Sequence, residues 1–242
     1  MAEFCLEIAG QVAKITSLFE STPHHFAKYL TGRQPDLAIT VTEADLRFEQ
    51  EDADLEAAED GFRRRKFPDP FLERAAIQRQ FAEHLLAQSI ILVHGSTVAV
   101  DGQAYLFTAR SGTGKSTHTR LWREVFGSKA AMVNDDKPFL QIADDEIIAY
   151  GSPWSGKHGL DSNICVPLKG ICLLERDTEN RIRPATPEEL TDLLKGFRPR
   201  KAEQAAQYEQ LLTKVIGRIP LWHMDCNKDP DAASVAFDAM SK

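Results

Sequence analysis

Hydrophobic and polar residues alternate in the first part of the chain. Every second residue from 4 to 8 is apolar, and a glycine-containing turn at 10–11 precedes a second apolar stretch at 12–15. Alternation broken by such a turn predicts a β-hairpin. The alternation returns at 37–41 and predicts another strand there.

Residues 44–60 carry many acidic and few apolar side chains, so we interpret them as an exposed edge or loop. Together with the strands before them, they predict a small β-rich N-terminal region over residues 1–66, the first of two predicted domains. Pro68 and Pro70 then introduce a helix, because the apolar residues from 71 to 85 lie along one stripe at helical spacing.

A second hairpin is predicted around Asp101 and Gly102, which join an apolar stretch at 90–100 to another at 105–107. A two-residue turn of this kind needs positive φ at both positions, which Asp-Gly provides. Further strands are predicted at 130–136, 139–142, 147–150, 166–174 and 220–224, and helices at 118–126, 186–194, 202–216 and 229–240. The pattern predicts an α/β fold for the second domain, residues 67–242, with a mixed central β-sheet and flanking helices.

A glycine-rich stretch lies between this hairpin and the helix that follows it. Residues 109–116, Ala-Arg-Ser-Gly-Thr-Gly-Lys-Ser, fit the phosphate-binding loop (P-loop) pattern, with Ala109 in place of the first glycine. Gly112 and Gly114 let successive backbone N–H groups point at one place, and the helix N-terminus adds partial positive charge. An ordinary glycine-rich turn is the alternative. The strand before and the helix after are the context that the motif requires, so we predict a nucleoside triphosphate site.

Two aspartates follow the next apolar run. In a phosphate-binding loop, Lys115 is expected to reach the β- and γ-phosphates and the Ser116 hydroxyl to face Mg²⁺. A strand parallel to the one before the loop ends beside the phosphates. Asp135 and Asp136, which end such a run, are therefore predicted on the metal side of the site. Alone, two aspartates after a strand are a commonplace turn; their distance from Lys115, with a helix between, makes the signal more specific.

Two further features are ambiguous by spacing alone. His94 precedes a glycine at a bend, and a lone histidine is usually a structural group. The glycine-rich loop at 151–159 holds Trp154 and Lys157, and both a functional loop and an ordinary surface turn fit its composition. Because strands that leave one sheet edge bring their loops into the ligand crevice, we expect this loop to border the acceptor side of the site. Lys157 is then expected near the transferred group, and Trp154 as a packing anchor.

Charge and composition argue against nucleic acids and membranes as partners. The net charge of −7 argues against wide contact with a nucleic-acid backbone. The longest apolar run, residues 90–93, is too short to cross a bilayer, and the N-terminal residues lack the pattern of a signal peptide. The four cysteines show neither CxxC spacing nor a partner histidine pattern, which favours reduced thiols. We therefore expect a cytoplasmic protein with no nucleic-acid partner and no membrane partner.

Four motifs occur in one order with close spacing: His94-Gly-Ser, the Asp101-Gly102 hairpin, residues 111–117 and Asp135-Asp136. This combination resembles the catalytic domain of HPr kinase/phosphorylase and its distant relative, ATP-dependent phosphoenolpyruvate carboxykinase. It is more similar still to the short HPr-kinase-related proteins, some of which phosphorylate a serine on a ribosomal peptide precursor. The resemblance is specific in its motifs over about 90–165, looser over 166–240 and weak over 1–66.

The resemblance implies that the chain uses ATP and Mg²⁺. The expected cofactor-binding residues are Ser111, Gly112, Thr113, Gly114, Lys115, Ser116 and Thr117. The resemblance also implies that His94 lies beside the γ-phosphate and the metal. Asp135 and Asp136 are expected to share metal binding with Ser116 and to activate the attacking hydroxyl, with the assignment between the two aspartates left open.

Two departures from the family narrow the expected reaction. The glycine-rich signature that HPr kinases carry beyond their aspartates, tied to phosphorylase activity, is not recognisable, and residues 151–159 occupy roughly that place. The carboxykinase elements that bind oxaloacetate are not apparent either. We therefore expect ATP-dependent phosphoryl transfer to a hydroxyl, with serine on a small protein or peptide as the acceptor. The candidate catalytic residues are Asp135, Asp136, His94, Lys115 and Lys157.

Two alternatives remain open at this point. A small-molecule hydroxyl, such as that of free serine, is the main alternative acceptor. The non-enzymatic alternative is a nucleotide-binding switch or assembly factor, which the two aspartates with His94 disfavour because a pure binder needs no base. Relatives often assemble into oligomers, which leaves a homo-oligomer open.

Overall fold

The computed structural model describes residues 1–59, 61, 63–197, 199 and 201–242. This part of the chain separates into two compact units, Met1–His84 and Leu85–Lys242. The boundary that the sequence places at 66/67 lies between two helices, whereas the compact units divide inside the second of those helices.

In the first unit, β1 (Ala2–Ile8) and β2 (Gln11–Ser17) form an antiparallel hairpin, and β3 (Leu37–Thr40) pairs parallel to β2. The predicted hairpin and third strand are thus confirmed. The turn is formed by Ala9 and Gly10, whose φ angles are 51° and 75°, one residue earlier than the sequence pattern indicates. A short helix, α1 (Thr22–His25), and a 3₁₀ turn follow β2.

The prediction of an exposed edge or loop at 44–60 is wrong. As far as residue 59 this segment belongs to a helix, α2 (Glu43–Glu59), and residue 60 lies outside the described residues. The predicted helix after the prolines is confirmed as α3 (Asp69–Leu86).

The acidic residues of α2 have a partner that is distant in sequence. The Arg79 guanidinium of α3 donates from Nε to Glu49 Oε1 over 2.6 Å and from Nη2 to Asp45 Oδ1 over 3.0 Å. It also lies 4.7 Å from the centre of the Phe48 ring. Acidic composition alone resembles a solvated loop, but here one half-buried cation stabilises the acidic face of a helix.

The second unit is a mixed sheet covered by helices. Its strands are β4 (Ile90–Leu92), β5 (Ser96–Val100), β6 (Gln103–Thr108), β7 (Ala130–Asn134), β8 (Phe139–Ile142), β9 (Ile147–Tyr150), β10 (Cys165–Arg176), β11 (Arg181–Pro184) and β12 (Leu221–Cys226). Its helices are α4 (Lys115–Phe126), α5 (Pro187–Leu194), α6 (Ala202–Arg218) and α7 (Asp231–Met240). The strand order is β4-β8-β9-β10-β6-β5-β7, and β12 pairs with both β10 and β11. The predicted α/β class with a mixed sheet is confirmed.

The hairpin predicted around Asp101 and Gly102 is confirmed for β5 and β6, with φ angles of 49° and 78° at the turn. Residues 90–92 do not continue into it, because β4 pairs with β8 in another part of the sheet. The chain bends between β4 and β5 at Gly95. A Cβ at this glycine would lie only 2.7 Å from Leu106 Cδ2. The chain can bend this close to β6 because glycine has no side chain.

Both faces of the central strands are buried. Along β6, Ala104 and Leu106 pack with the apolar residues of α5 and α6, whereas Tyr105 and Phe107 pack with those of α4 and α7. The same alternation holds in the second half of β10. Burial on both faces explains why these strands read as nearly continuous apolar runs. None of the helices in the described ranges has the length and apolarity needed to cross a membrane.

The strand directions bring several strand ends to one edge of the sheet. β6, β10 and β12 are parallel, and β5 runs antiparallel to both β6 and β7. β6 and β7 therefore run in the same direction, as the sequence predicted. The C-terminal ends of β6, β7, β10 and β12 and the start of β5 meet at this edge, where ligands bind in open α/β sheets.

Candidate functional site

The glycine-rich loop, defined here as residues 109–114, joins β6 to α4. Gly112 and Gly114 have φ angles of 78° and 131°, and a Cβ at either position would meet no atom within 4 Å. A side chain would have room at both positions, so glycine is required there by the positive φ angle and not by close contacts. Ala109 is fully buried and does not take a positive φ, which explains how alanine replaces the first glycine of the pattern.

The first turn of α4 follows the loop without a side-chain cap. Gly114 is the N-cap residue and has no side chain to cap the N–H groups of the first turn, so these donors are available to an anion. Lys115 Nζ donates to the carbonyl of Ala109 over 3.2 Å, across the mouth of the loop. Burial lowers the pKa of Lys115, Asp136 opposes this shift, and Lys137 adds to it.

An arginine that was not selected from the sequence binds two backbone carbonyls of the glycine-rich loop. Arg176, the last residue of β10, donates from Nε to the carbonyl of Thr113 over 2.8 Å and from Nη2 to the carbonyl of Gly112. Binding these carbonyls helps to turn the N–H groups of the loop toward the opposite side. The sequence signal for such a position is a polar residue at the end of a buried apolar run, because parallel strands end at the same edge of the sheet.

His94 and Asp136 meet at the start of β5. His94 Nε2 lies 3.6 Å from Asp136 Oδ1, and the N–H of Gly95 donates to the carbonyl of Asp136 over 2.9 Å. Burial, together with the charges of Lys115 and Lys137, lowers the pKa of His94 to about 4. The imidazole is therefore neutral at pH 7 and carries a single N–H donor.

Asp135 is almost completely buried. Its Oδ1 accepts a hydrogen bond from the N–H of Gly156 over 2.6 Å, whereas its buried Oδ2 has no hydrogen-bond partner among the described residues. Burial raises the pKa of Asp135, and the hydrogen bond from Gly156 opposes the rise. A buried carboxylate oxygen without a donor is suited to a cation, which would supply the missing positive charge.

Asn134, also absent from the sequence predictions, fixes the turn that carries both aspartates. Its side-chain Oδ1 accepts from the N–H groups of Asp136 and Lys137 over 2.7 and 2.6 Å. Its Nδ2 donates to the carbonyl of Ser152 over 2.8 Å. One fully buried amide therefore orients the aspartate turn and ties it to the 151–159 loop.

The 151–159 loop reaches the site by a different route from the one predicted. β9 is antiparallel to β10 and hence to β6, so the loop does not leave the sheet at the edge where β6 and β7 end. It folds back along the end of β7, where Ser162 N–H donates to the carbonyl of Val133 over 3.1 Å. Gly151 permits this approach, because a Cβ there would overlap the carbonyl of Ser162. Trp154 is buried beside the Phe139 ring, as expected of a packing anchor.

All the residues selected from the sequence line one cavity of about 910 Å³: Ser111, Gly112, Thr113, Gly114, Lys115, Ser116 and Thr117 with His94, Asp135, Asp136 and Lys157. Lys157 is exposed at its margin, next to His158. The ends of β10 and β12 complete the wall with residues that the sequence did not single out: Arg176, Asp177, Thr178, Cys226, Asn227 and Lys228. The cavity has cationic groups on the loop side and carboxylates at the end of β7.

No family model matches the chain, and no curated protein matches it. Among solved structures, it is similar to one described as the structure of the Hpr(Ser) kinase/phosphatase from Coxiella burnetii. The match covers 61% of this chain and 95% of that chain, with 14% identity and a TM-score of 0.36. The likeness is a distant one, of fold alone.

The electrostatics of the cavity can be tested on His94. We expect its imidazole to titrate with a pKa of about 4, and the pKa to rise toward the ordinary value in Lys115→Met because one nearby positive charge is removed. Two-dimensional NMR of the histidine ring signals measures both values. The control is Lys129→Met, at an exposed lysine paired with Asp101. A pKa near 6.5 in the unsubstituted protein would contradict the described burial.

Proposed function

We propose that this chain is an ATP-dependent phosphotransferase that passes the γ-phosphoryl group to a hydroxyl, namely serine on a small protein or peptide. The observation that carries the proposal is the shared cavity. An uncapped helix N-terminus, a lysine, two carboxylates and a neutral histidine converge on it from three separate segments. Phosphoryl transfer depends mainly on positioning and charge neutralisation, and these are the groups that it requires.

The loop residues have the phosphate-binding role. The N–H groups of the first turn of α4, which has no side-chain cap, and the Lys115 ammonium would hold the β- and γ-phosphates, with Arg176 binding the loop carbonyls. Neutral His94 would lie beside the transferred group, with its ring oriented by a hydrogen bond to the backbone of Leu193. Lys157, at the margin of the cavity, would neutralise charge on the transferred group.

The metal-binding role falls on Ser116, Asp135 and Asp136. Mg²⁺ prefers oxygen ligands, and the Asp135 oxygen without a donor fits this preference. When bound, the ion would neutralise the phosphate oxygens. We assign Asp135 to the metal, because its carboxylate is buried and held in place by the N–H of Gly156.

We assign proton transfer to Asp136, which is 36% exposed and faces the cavity beside His94. The acceptor oxygen forms a bond to the γ-phosphorus while the bond from that phosphorus to the bridging oxygen of ADP breaks. The hydroxyl proton moves to the Asp136 carboxylate, which acts as the general base. A small-molecule acceptor and a non-catalytic nucleotide switch are the competing functions.

Nucleotide binding is tested by thermal unfolding with and without Mg-ATP. We expect protection equivalent to about 2.7 kcal/mol when ATP is at a hundred times its dissociation constant. Lys115→Ala should remove most of this protection without unfolding the protein, because the ammonium is directed into the loop. Lys129→Ala is the matched control and should keep it. Equal protection in Lys115→Ala would show that ATP binds elsewhere.

Transfer is tested with γ-labelled ATP on an array of serine-containing peptides, with free serine in a parallel reaction. We expect label on peptides, and Asp136→Asn should reduce turnover by about 10²–10⁴-fold while keeping ATP affinity. Asp135→Asn should instead weaken the Mg²⁺ dependence of ATP binding. The reverse pattern would exchange the two roles. Label on free serine alone would favour the small-molecule acceptor, and ATP binding without any transfer would favour the switch.

The role of Lys157 is tested by the turnover of Lys157→Ala, again against Lys129→Ala. Removing a charge that acts on the transition state should raise the barrier by about 2–4 kcal/mol, which lowers kcat by about 30- to 900-fold. ATP affinity should change little, because Lys157 is exposed at the margin of the cavity. Turnover near that of the unsubstituted protein would make Lys157 an ordinary surface residue.

A further inference from the structure

A second group of polar side chains lies where β10 and β12 end. In their parallel register Glu175 is opposite Asp225, and His223, two residues before Asp225, is opposite Leu173. Residues two apart in a strand point to the same face of the sheet, so these three polar side chains share one face. It is the face that packs against α5, because Leu173 on this face belongs to the same hydrophobic cluster as Leu190 and Leu194 of α5.

The three side chains direct their polar atoms at one point. His223 is only 8% exposed, and its Nε2 lies 3.5 Å from Glu175 Oε2 and 3.6 Å from Asp225 Oδ1. All three atoms lie within 4.8 Å of one another. These separations are long for hydrogen bonds. They are close to the separation of about 3.4 Å expected between ligand atoms that share a tetrahedral Zn²⁺ at about 2.1 Å.

The other ring nitrogen of His223 contacts a carboxylate that is itself held. His223 Nδ1 lies 2.8 Å from Glu189 Oε1. Arg183 binds both oxygens of Glu189, over 2.7 and 3.2 Å, and the N–H of Thr186 donates to Oε2 over 2.8 Å. Metal-binding histidines commonly donate their second N–H to a fixed carboxylate in this way, which leaves the first nitrogen free for the ion.

Arg183 also offers the competing arrangement. Its Nη2 lies 2.9 Å from His223 Nδ1, so it could donate to the ring and leave Nε2 protonated toward the two carboxylates. In that tautomer the cluster is an ion-pair network without a metal. The two arrangements differ in which ring nitrogen carries the proton, and this can be measured.

The cluster is accessible from a cavity. Glu175 and His223 line a space of about 600 Å³, which is also bordered by loop residues 110–113 and by Arg176. An ion held by the three side chains would thus keep an open coordination position toward this space. Glu175 and Arg176 are consecutive in β10, so one strand end serves both the cluster and the glycine-rich loop.

We propose that Glu175, His223 and Asp225 bind a divalent transition-metal ion, with Zn²⁺ bound more tightly than Mn²⁺. One imidazole nitrogen with two carboxylate oxygens suits such an ion, whereas Mg²⁺ prefers oxygen ligands alone. The order of affinity follows from the general preference of nitrogen and oxygen sites along the first transition series. This site is distinct from the Mg²⁺ site proposed at Ser116 and the two aspartates.

The test uses metal-free protein titrated with Zn²⁺ in competition with a chromophoric chelator. To remove the other acidic pair, the titration is made in an Asp135→Asn, Asp136→Asn background. We expect one equivalent of tightly bound Zn²⁺. Glu175→Gln and His223→Gln should each weaken it at least tenfold, and Glu189→Gln by about 10–100-fold through loss of the second-nitrogen partner. Glu179→Gln is the control, because that carboxylate is exposed and pairs with Arg181.

A second measurement does not depend on any substitution in the cluster. Nitrogen-15 NMR of the His223 ring should show Nδ1 protonated and Nε2 shifted when Zn²⁺ is added. Unchanged ring signals, or Zn²⁺ affinity that is equal in every cluster variant, would overturn the proposal in favour of the ion-pair network. Lys115→Ala should leave Zn²⁺ affinity unaltered, so failure of the phosphotransferase proposal and failure of this one are separable.

Discussion

The candidate site depends on the direction of four strands. β6, β7, β10 and β12 all end at one edge of the sheet, and β5 starts there because it is antiparallel to β6. β6 is buried on both faces, so a slip of its register would exchange the side chains that face the two helical layers. The packed core therefore fixes where the glycine-rich loop begins, and with it the position of each group that the loop presents.

Hydrogen bonds from side chains to the backbone then hold the irregular segments at that edge. Asn134 orients the aspartate turn, and Arg176 binds two carbonyls of the loop. Lys137 Nζ donates to the carbonyl of Gly196, and the N–H of His94 donates to the carbonyl of Leu194, so the segment after α5 is bound here too. Buried backbone groups outside strands and helices need such partners. These hydrogen bonds supply such partners along the cavity wall.

Cationic and anionic side chains both line the cavity. Lys115 and Lys137 lie close enough to His94 to keep its pKa low, which leaves the ring neutral beside the proposed anion site. The carboxylates of Asp135 and Asp136 follow β7, where the proposed cation would be held. At the end of β10, Arg176 binds the carbonyls of the loop, while the preceding Glu175 lies beside His223 and Asp225. Two consecutive residues of one strand thus belong to the proposed phosphate site and to the proposed transition-metal site.

Features that depend on local pattern could be predicted from the sequence alone. These include the hairpin at Asp101-Gly102, the two glycines of the loop and the aspartates after a strand, because turn geometry and strand periodicity are properties of neighbouring residues. The contacts between distant segments could be seen only in the folded chain. Arg79 pairs with acidic residues of α2, β4 pairs with β8 rather than continuing into β5, and Arg176 binds carbonyls of the loop. Strand pairing and the partners of buried polar groups depend on contacts across the whole fold, and no local pattern records them.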